Sequence, residues 1–121
     1  MLGPIEPVEI SFVVATRLAD VRTEVVRHLT ANGGRIKIDD DSTVLAGFGS
    51  NMKIRLLGAV WAGVKSMPRD VLVRMAEGAG QTQVSVTVRD AFGFGTRAGI
   101  SEKLQKLMYD DALSLKSALL R

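Results

Sequence analysis

Residues 99–121, GISEKLQKLMYDDALSLKSALLR, decide how the rest of the chain is arranged. Ile100, Leu104, Leu107, Met108, Ala112, Leu115, Ala118 and Leu119 recur at helical spacing, one broad apolar stripe over about six turns. A stripe that long needs a broad apolar surface to lie on, and the preceding residues supply one as alternating strands.

Just upstream, the glycine-rich link Ala91–Gly99 follows the clearest hairpin, Val71–Met75 and Gln83–Asp90, whose loop contains Glu77-Gly78-Ala79-Gly80. Val84, Val86 and Val88 fall on its inward side, with Gln83, Ser85, Thr87 and Arg89 outward. Further back, Arg35–Asp39 and Thr43–Gly49 read as a hairpin around Asp40-Asp41-Ser42, with Ile36 and Ile38 facing in beside Val44, Ala46 and Phe48. Met52–Leu57 reads as a further strand with Met52, Ile54 and Leu56 inward. Gly58–Arg69, with Trp61, two glycines and Pro68, either continues that strand through a bulge or leaves it. Near the start, Val8–Ala15 alternates as a half-buried strand. Thr16 is the expected N-cap of a helix from Arg17 to about Asn32, carrying Leu18, Val21, Val25, Val26 and Leu29 on one face. Gly33-Gly34 stops it, because glycine tolerates the left-handed conformation that closes a helix.

The expected fold is therefore α+β: a single antiparallel sheet of five or six strands, with an N-terminal and a long C-terminal helix on one face. It is one domain over residues 1–121, with an extended arm at residues 1–7. The order β-α-β(4–5)-α resembles the TATA-box-binding-protein-like and helix-grip topologies, in which a long C-terminal helix lies on a curved sheet. The likeness is one of element order along the whole chain, and it carries no function.

A chain of 121 residues is long enough to bury roughly two-thirds of its unfolded surface. It has no cysteine, which rules out a disulfide framework, a thiolate nucleophile and sulfur-ligated metal. That fits a reducing, cytoplasmic setting. The opening MLGPIEPVEI has neither the basic nor the apolar region of a signal peptide, and Leu56–Val64 is about half a bilayer span, so no membrane partner is expected. A formal charge of +3 permits anionic partners without demanding them.

The motifs are weak. Gly93-Phe-Gly95-Thr-Arg-Ala98 matches a dinucleotide fingerprint, but no strand follows to complete a βαβ unit and no strand-borne acid lies about twenty residues on; it reads as a crossover. Asp39-Asp40-Asp41 offers hard oxygen donors, but three consecutive acids in a tight turn diverge, so no metal site is expected. His28 is the sole histidine, at the border of the first helix's apolar face, with no nucleophile placed beside it. These readings lean against an enzyme, and no cofactor is expected.

Two charges sit where apolar residues belong. On a helical wheel Asp111 falls inside the last helix's stripe, and Arg22 inside the first helix's apolar face. The expectation is that they meet as a buried pair or line a small pocket; otherwise each reaches the wet edge of its stripe. The outward sheet face is expected to carry Arg35, Lys37, Lys53, Arg55, Arg74 and Arg89, with Glu9 its only internal acid, among Val13, Leu45, Leu57 and Leu72. No aromatic stacking platform accompanies this basic face, which makes nucleic acid the third choice.

The favoured reading is a non-catalytic binding module that self-associates as a homodimer or binds a protein partner. Arg55, Arg74 and Arg89 are its charged contacts and Leu45, Leu57 and Leu72 its apolar anchors. The runner-up is a small-ligand binder with a pocket between the final helix and the sheet, in which Arg22 and Asp111 are the polar groups.

Overall fold

The computed structural model describes residues 6–49, 68–90 and 101–120. They form β1 (Val8–Val14), α1 (Leu18–Ala31), β2 (Arg35–Asp39), β3 (Thr43–Phe48), β4 (Arg69–Glu77), β5 (Thr82–Asp90) and α2 (Ser101–Leu119). The strands make one antiparallel sheet in the order β1-β5-β4-β3-β2, and the fold is α+β. The expected strand Met52–Leu57, the stretch Gly58–Met67 and the link Ala91–Gly99 lie outside the described residues, and so do Lys53, Ile54, Arg55 and Leu57.

Alternation places the core. Val44, Val73, Val84, Val86 and Val88 are fully buried on one sheet face, and Ile36 packs against the same cluster. Both helices cover that face: α1 buries Val21, Val25 and Leu29, and α2 buries Leu104, Met108, Ala112, Leu115 and Leu119. Each such side chain contributes on the order of 1.5–3 kcal/mol on leaving water, which fixes strand parity throughout the sheet. Tyr109 and Leu120, off the stripe, are about half exposed. Residues before β1 are tied to α2 by the Gln105 side-chain amide, which accepts from the Glu6 N–H at 3.0 Å and donates to the Glu6 carbonyl at 2.9 Å. Among the described residues no helix is long and apolar enough to cross a membrane.

Helix α1 ends as its glycines require. Gly33, at φ 90°, donates to the Thr30 carbonyl, and Gly34 donates to that of Leu29, a Schellman closure. Its start differs from expectation. The first helical residue is Leu18, Arg17 stands at the N-cap without a side-chain cap, and the Thr16 carbonyl accepts a 2.7 Å bond from the buried Thr82 hydroxyl. Thr16 thus anchors the β1–α1 connection to the head of β5 and does not cap the helix.

Strand β2 holds the main correction. Ile36 pairs with Ala46, but Ile38 pairs with Leu45, so a bulge at Lys37 shifts the register by one. Cross-strand partners share a face. Ile38 therefore joins Leu45 on the outer face, 44% exposed, and does not face in as plain alternation predicts. Asp39, now opposite Val44, turns to the helix side.

Candidate functional site

Four elements meet at one end of the helix-covered face: the last turn of α1, the middle of α2, the end of β3 and the start of β4. A cavity of about 270 Å³ lies between them. Leu29, Phe48, Val71 and Leu107 give it apolar walls, and His28, Asn32, Asp110 and Ser114 give it a polar rim.

Arg69 and Asp111 stand in the same lining. Strand β4 begins at Arg69, two residues before the expected Val71, because Arg69 pairs across the ladder with both Phe48 and Asp90. Two positions before Val71, and four before Val73, it shares their inward face. It is 5% exposed, and its Nε donates to Asp111 Oδ2, with Nη2 3.5 Å from Oδ1. The guanidinium carbon lies 5.1 Å from the centroid of the Phe48 ring, so a planar cation stacks on an aromatic face while its edge holds a carboxylate. Gly34 makes room for that ring: a Cβ there would stand 2.8 Å from Phe48 Cζ and 2.7 Å from the Leu29 carbonyl oxygen.

At the rim, His28 Nε2 and Ser114 Oγ are 3.3 Å apart, a contact joining α1 to α2. Ser114 lies well inside α2, where backbone N–H groups are engaged in the helix ladder and offer nothing to a developing oxyanion. The contact acts as a helix–helix bridge between two residues of the cavity lining. Asn32 Nδ2 donates to the His28 carbonyl at 2.7 Å, fixing the same turn.

Arg22 and Asp111 do not meet. Asp111 is held by Arg69, while the Arg22 guanidinium pairs with Asp39 and its Nε donates to the Asp40 carbonyl at 2.9 Å. The β2 bulge is the reason: it turns Asp39 toward α1, within reach of Arg22, and leaves Arg22 out of the cavity lining. Asp40 in turn accepts from the Ser42 and Thr43 N–H groups, so the acids of this turn point to separate partners.

On the outer face Leu45 lies directly opposite Leu72 and is flanked by Ile38, a row of three apolar side chains across β2, β3 and β4. Arg74 and Arg89 are exposed there. Asp70 also faces out, an acid missed with the early start of β4. It accepts from Lys37 Nζ at 2.9 Å, across Gly47. Arg55 and Leu57, the remaining interface candidates, lie outside the described residues, as does the glycine-rich segment Gly93–Ala98.

The chain matches no family model and no curated protein. Among solved structures it is similar to TTHA0849 from Thermus thermophilus, at 10% identity and a TM-score of 0.51, with 94% of each chain covered. At that identity the likeness concerns the fold alone.

Proposed function

We propose that the chain is a binding module that encloses a small amphiphilic molecule in the cavity between α1, α2 and the β3–β4 end of the sheet. One observation carries this reading: a charged pair, Arg69–Asp111, stands in the cavity wall among Leu29, Phe48, Val71 and Leu107, beneath a polar rim. A buried pair contributes little net stability compared with apolar residues of the same size, so its retention there favours recognition. A volume near 270 Å³ falls just under the range of about 300–1,000 Å³ common for small-molecule sites, which fits a compact ligand. Its apolar part meets Phe48, Val71 and Leu107, and its polar part meets the edge of the Arg69–Asp111 pair.

The test is native mass spectrometry of the protein as purified, beside Ser114→Trp. That substitution fills the mouth from an exposed position. A copurifying mass on the wild type that is absent from S114W supports the reading. An adduct-free protein whose melting temperature also ignores a panel of short-chain carboxylic acids, alcohols and amines overturns it.

A second reading, self-association through the outer face, is favoured by the Ile38–Leu45–Leu72 row, which the bulge lengthens by one apolar residue. A solution mass above 13.0 kDa that falls on Leu72→Glu supports it; a monomer at every concentration rules it out.

A further inference from the structure

On the outer face, away from the cavity, β4 and β5 form the floor of a second concavity of about 350 Å³, lined by Leu72, Arg74, Ser85, Thr87 and Arg89, with Glu9 on the β1 side. Arg74 lies opposite Ser85, and Arg89 lies four residues further along β5, about 13 Å away along the strand. Two arginines thus flank a strip of hydroxyls, at a span that their long side chains can close from both ends.

These arginines are left uncompensated. Among the described residues no carboxylate lies within 4 Å of either guanidinium, and Glu9, across from Thr87, is engaged with neither. Arg89 has an obvious neutraliser in Asp70, its direct cross-strand partner. That carboxylate is instead occupied by Lys37, which reaches it from β2 over the bare backbone of Gly47, where a Cβ would come within 2.7 Å of the lysine stem. The bulge that turns Ile38 outward sits at this same lysine. Lys37 therefore screens Asp70 and leaves Arg89 open.

We propose that this groove binds a small organic anion, a carboxylate or phosphate group held between Arg74 and Arg89 and hydrogen-bonded by Ser85 and Thr87, with Leu72 under its carbon skeleton. Guanidinium forks match both oxyanions, and the hydroxyls supply neutral donors between them. Lys37 is a positioning residue for this site: it does not touch the anion but keeps Asp70 away from Arg89.

The experiment is an amide and arginine Nε–H NMR titration with inorganic phosphate and, separately, with malonate, at constant ionic strength set by chloride. Saturable shifts confined to Ser85, Thr87, Arg74 and Arg89 are expected. Shifts with phosphate alone assign a phosphoryl group, and shifts with malonate alone assign a carboxylate. Arg74→Met and Arg89→Met each weaken binding by about tenfold or more. Lys37→Met weakens it by about threefold, because Asp70 turns to Arg89, and Lys37→Met/Asp70→Asn restores it. A structural role for Lys37 alone gives no such restoration. Shifts that grow linearly, that chloride reproduces, or that survive both arginine substitutions overturn the proposal. So does saturable binding confined to a single-stranded oligonucleotide.

Discussion

On the helix-covered face of the sheet, Arg69 is 5% exposed, stacked on Phe48 and bonded to Asp111, whereas on the open face Arg74 and Arg89 stand in water with no carboxylate of the described residues within 4 Å. The difference follows from solvent. Where water is excluded, an unmatched guanidinium costs several kcal/mol, and Asp111 arrives from α2 to match Arg69 there. Where water remains, an arginine needs no partner, and leaving it unpaired keeps it available to an incoming anion. The Arg69 charge on the inner face is paired within the protein; the Arg74 and Arg89 charges on the outer face are not, among the described residues.

The sharpest way to break this contrast is Asp111→Ala, which removes the carboxylate paired with the buried Arg69. A loss of about 3–5 kcal/mol in urea unfolding is expected, and a loss below about 1 kcal/mol would place the pair in the same class as surface pairs. Replacing both partners, as Arg69→Met/Asp111→Leu, is expected to restore stability to within about 1 kcal/mol of wild type while abolishing any cavity adduct seen by native mass spectrometry. Gly34→Ala comes next. Its Cβ meets a backbone carbonyl that has little room to retreat, and the Phe48 ring must shift, so about 1–3 kcal/mol is expected from thermal or urea melts, with a change in the near-UV signal. Asp39→Ala removes the half-exposed bridge to Arg22 and is expected to cost about 1 kcal/mol or less.

The smallest effect belongs to Glu24, whose carboxyl is held below its ordinary range by the hydrogen bond from Arg27 and by that cation's charge. A lowered carboxylate stabilises the fold above its unfolded value, and the contribution disappears as pH falls through the folded one. The pair is solvent-exposed, so Glu24→Gln is expected to leave the urea midpoint unchanged within error at pH 7 and at pH 3 alike.

Most of the architecture was legible because its signals are periodic. The valines at 84, 86 and 88 and the leucines at 104 and 115 repeat at the periods of strand and helix, and burial follows the period. The stop at Gly33-Gly34 was legible because few residues adopt φ near 90°. The site was half legible. Asp111 stood out as a charge inside an apolar stripe, but its partner was sought on the other helix. Arg69 carried the missing signal, since counting back by two from Val73 and Val71 puts it on the inward face; the proline before it and the irregular run upstream masked that parity. The partner of Arg22 is not legible, because a single extra residue in β2 rotates Asp39 toward α1, and one residue in five leaves no periodic trace. The contact between His28 and Ser114 depends on how α1 and α2 lie side by side, which neither helix encodes alone.

The irregularity at Lys37 has one more consequence. Among the described residues strand β2 lies at the border of the sheet, where a flat run of free N–H and C=O groups would invite a strand from another molecule. An extra residue breaks the even spacing of those groups, and a lysine at the break adds a charge that resists stacking. Deleting Lys37 would straighten the border, keep Ile38 opposite Leu45 on the outer face and present an evenly spaced edge to any neighbour. The deletion variant should then gain a tendency to form thioflavin-positive fibrils that the intact chain lacks.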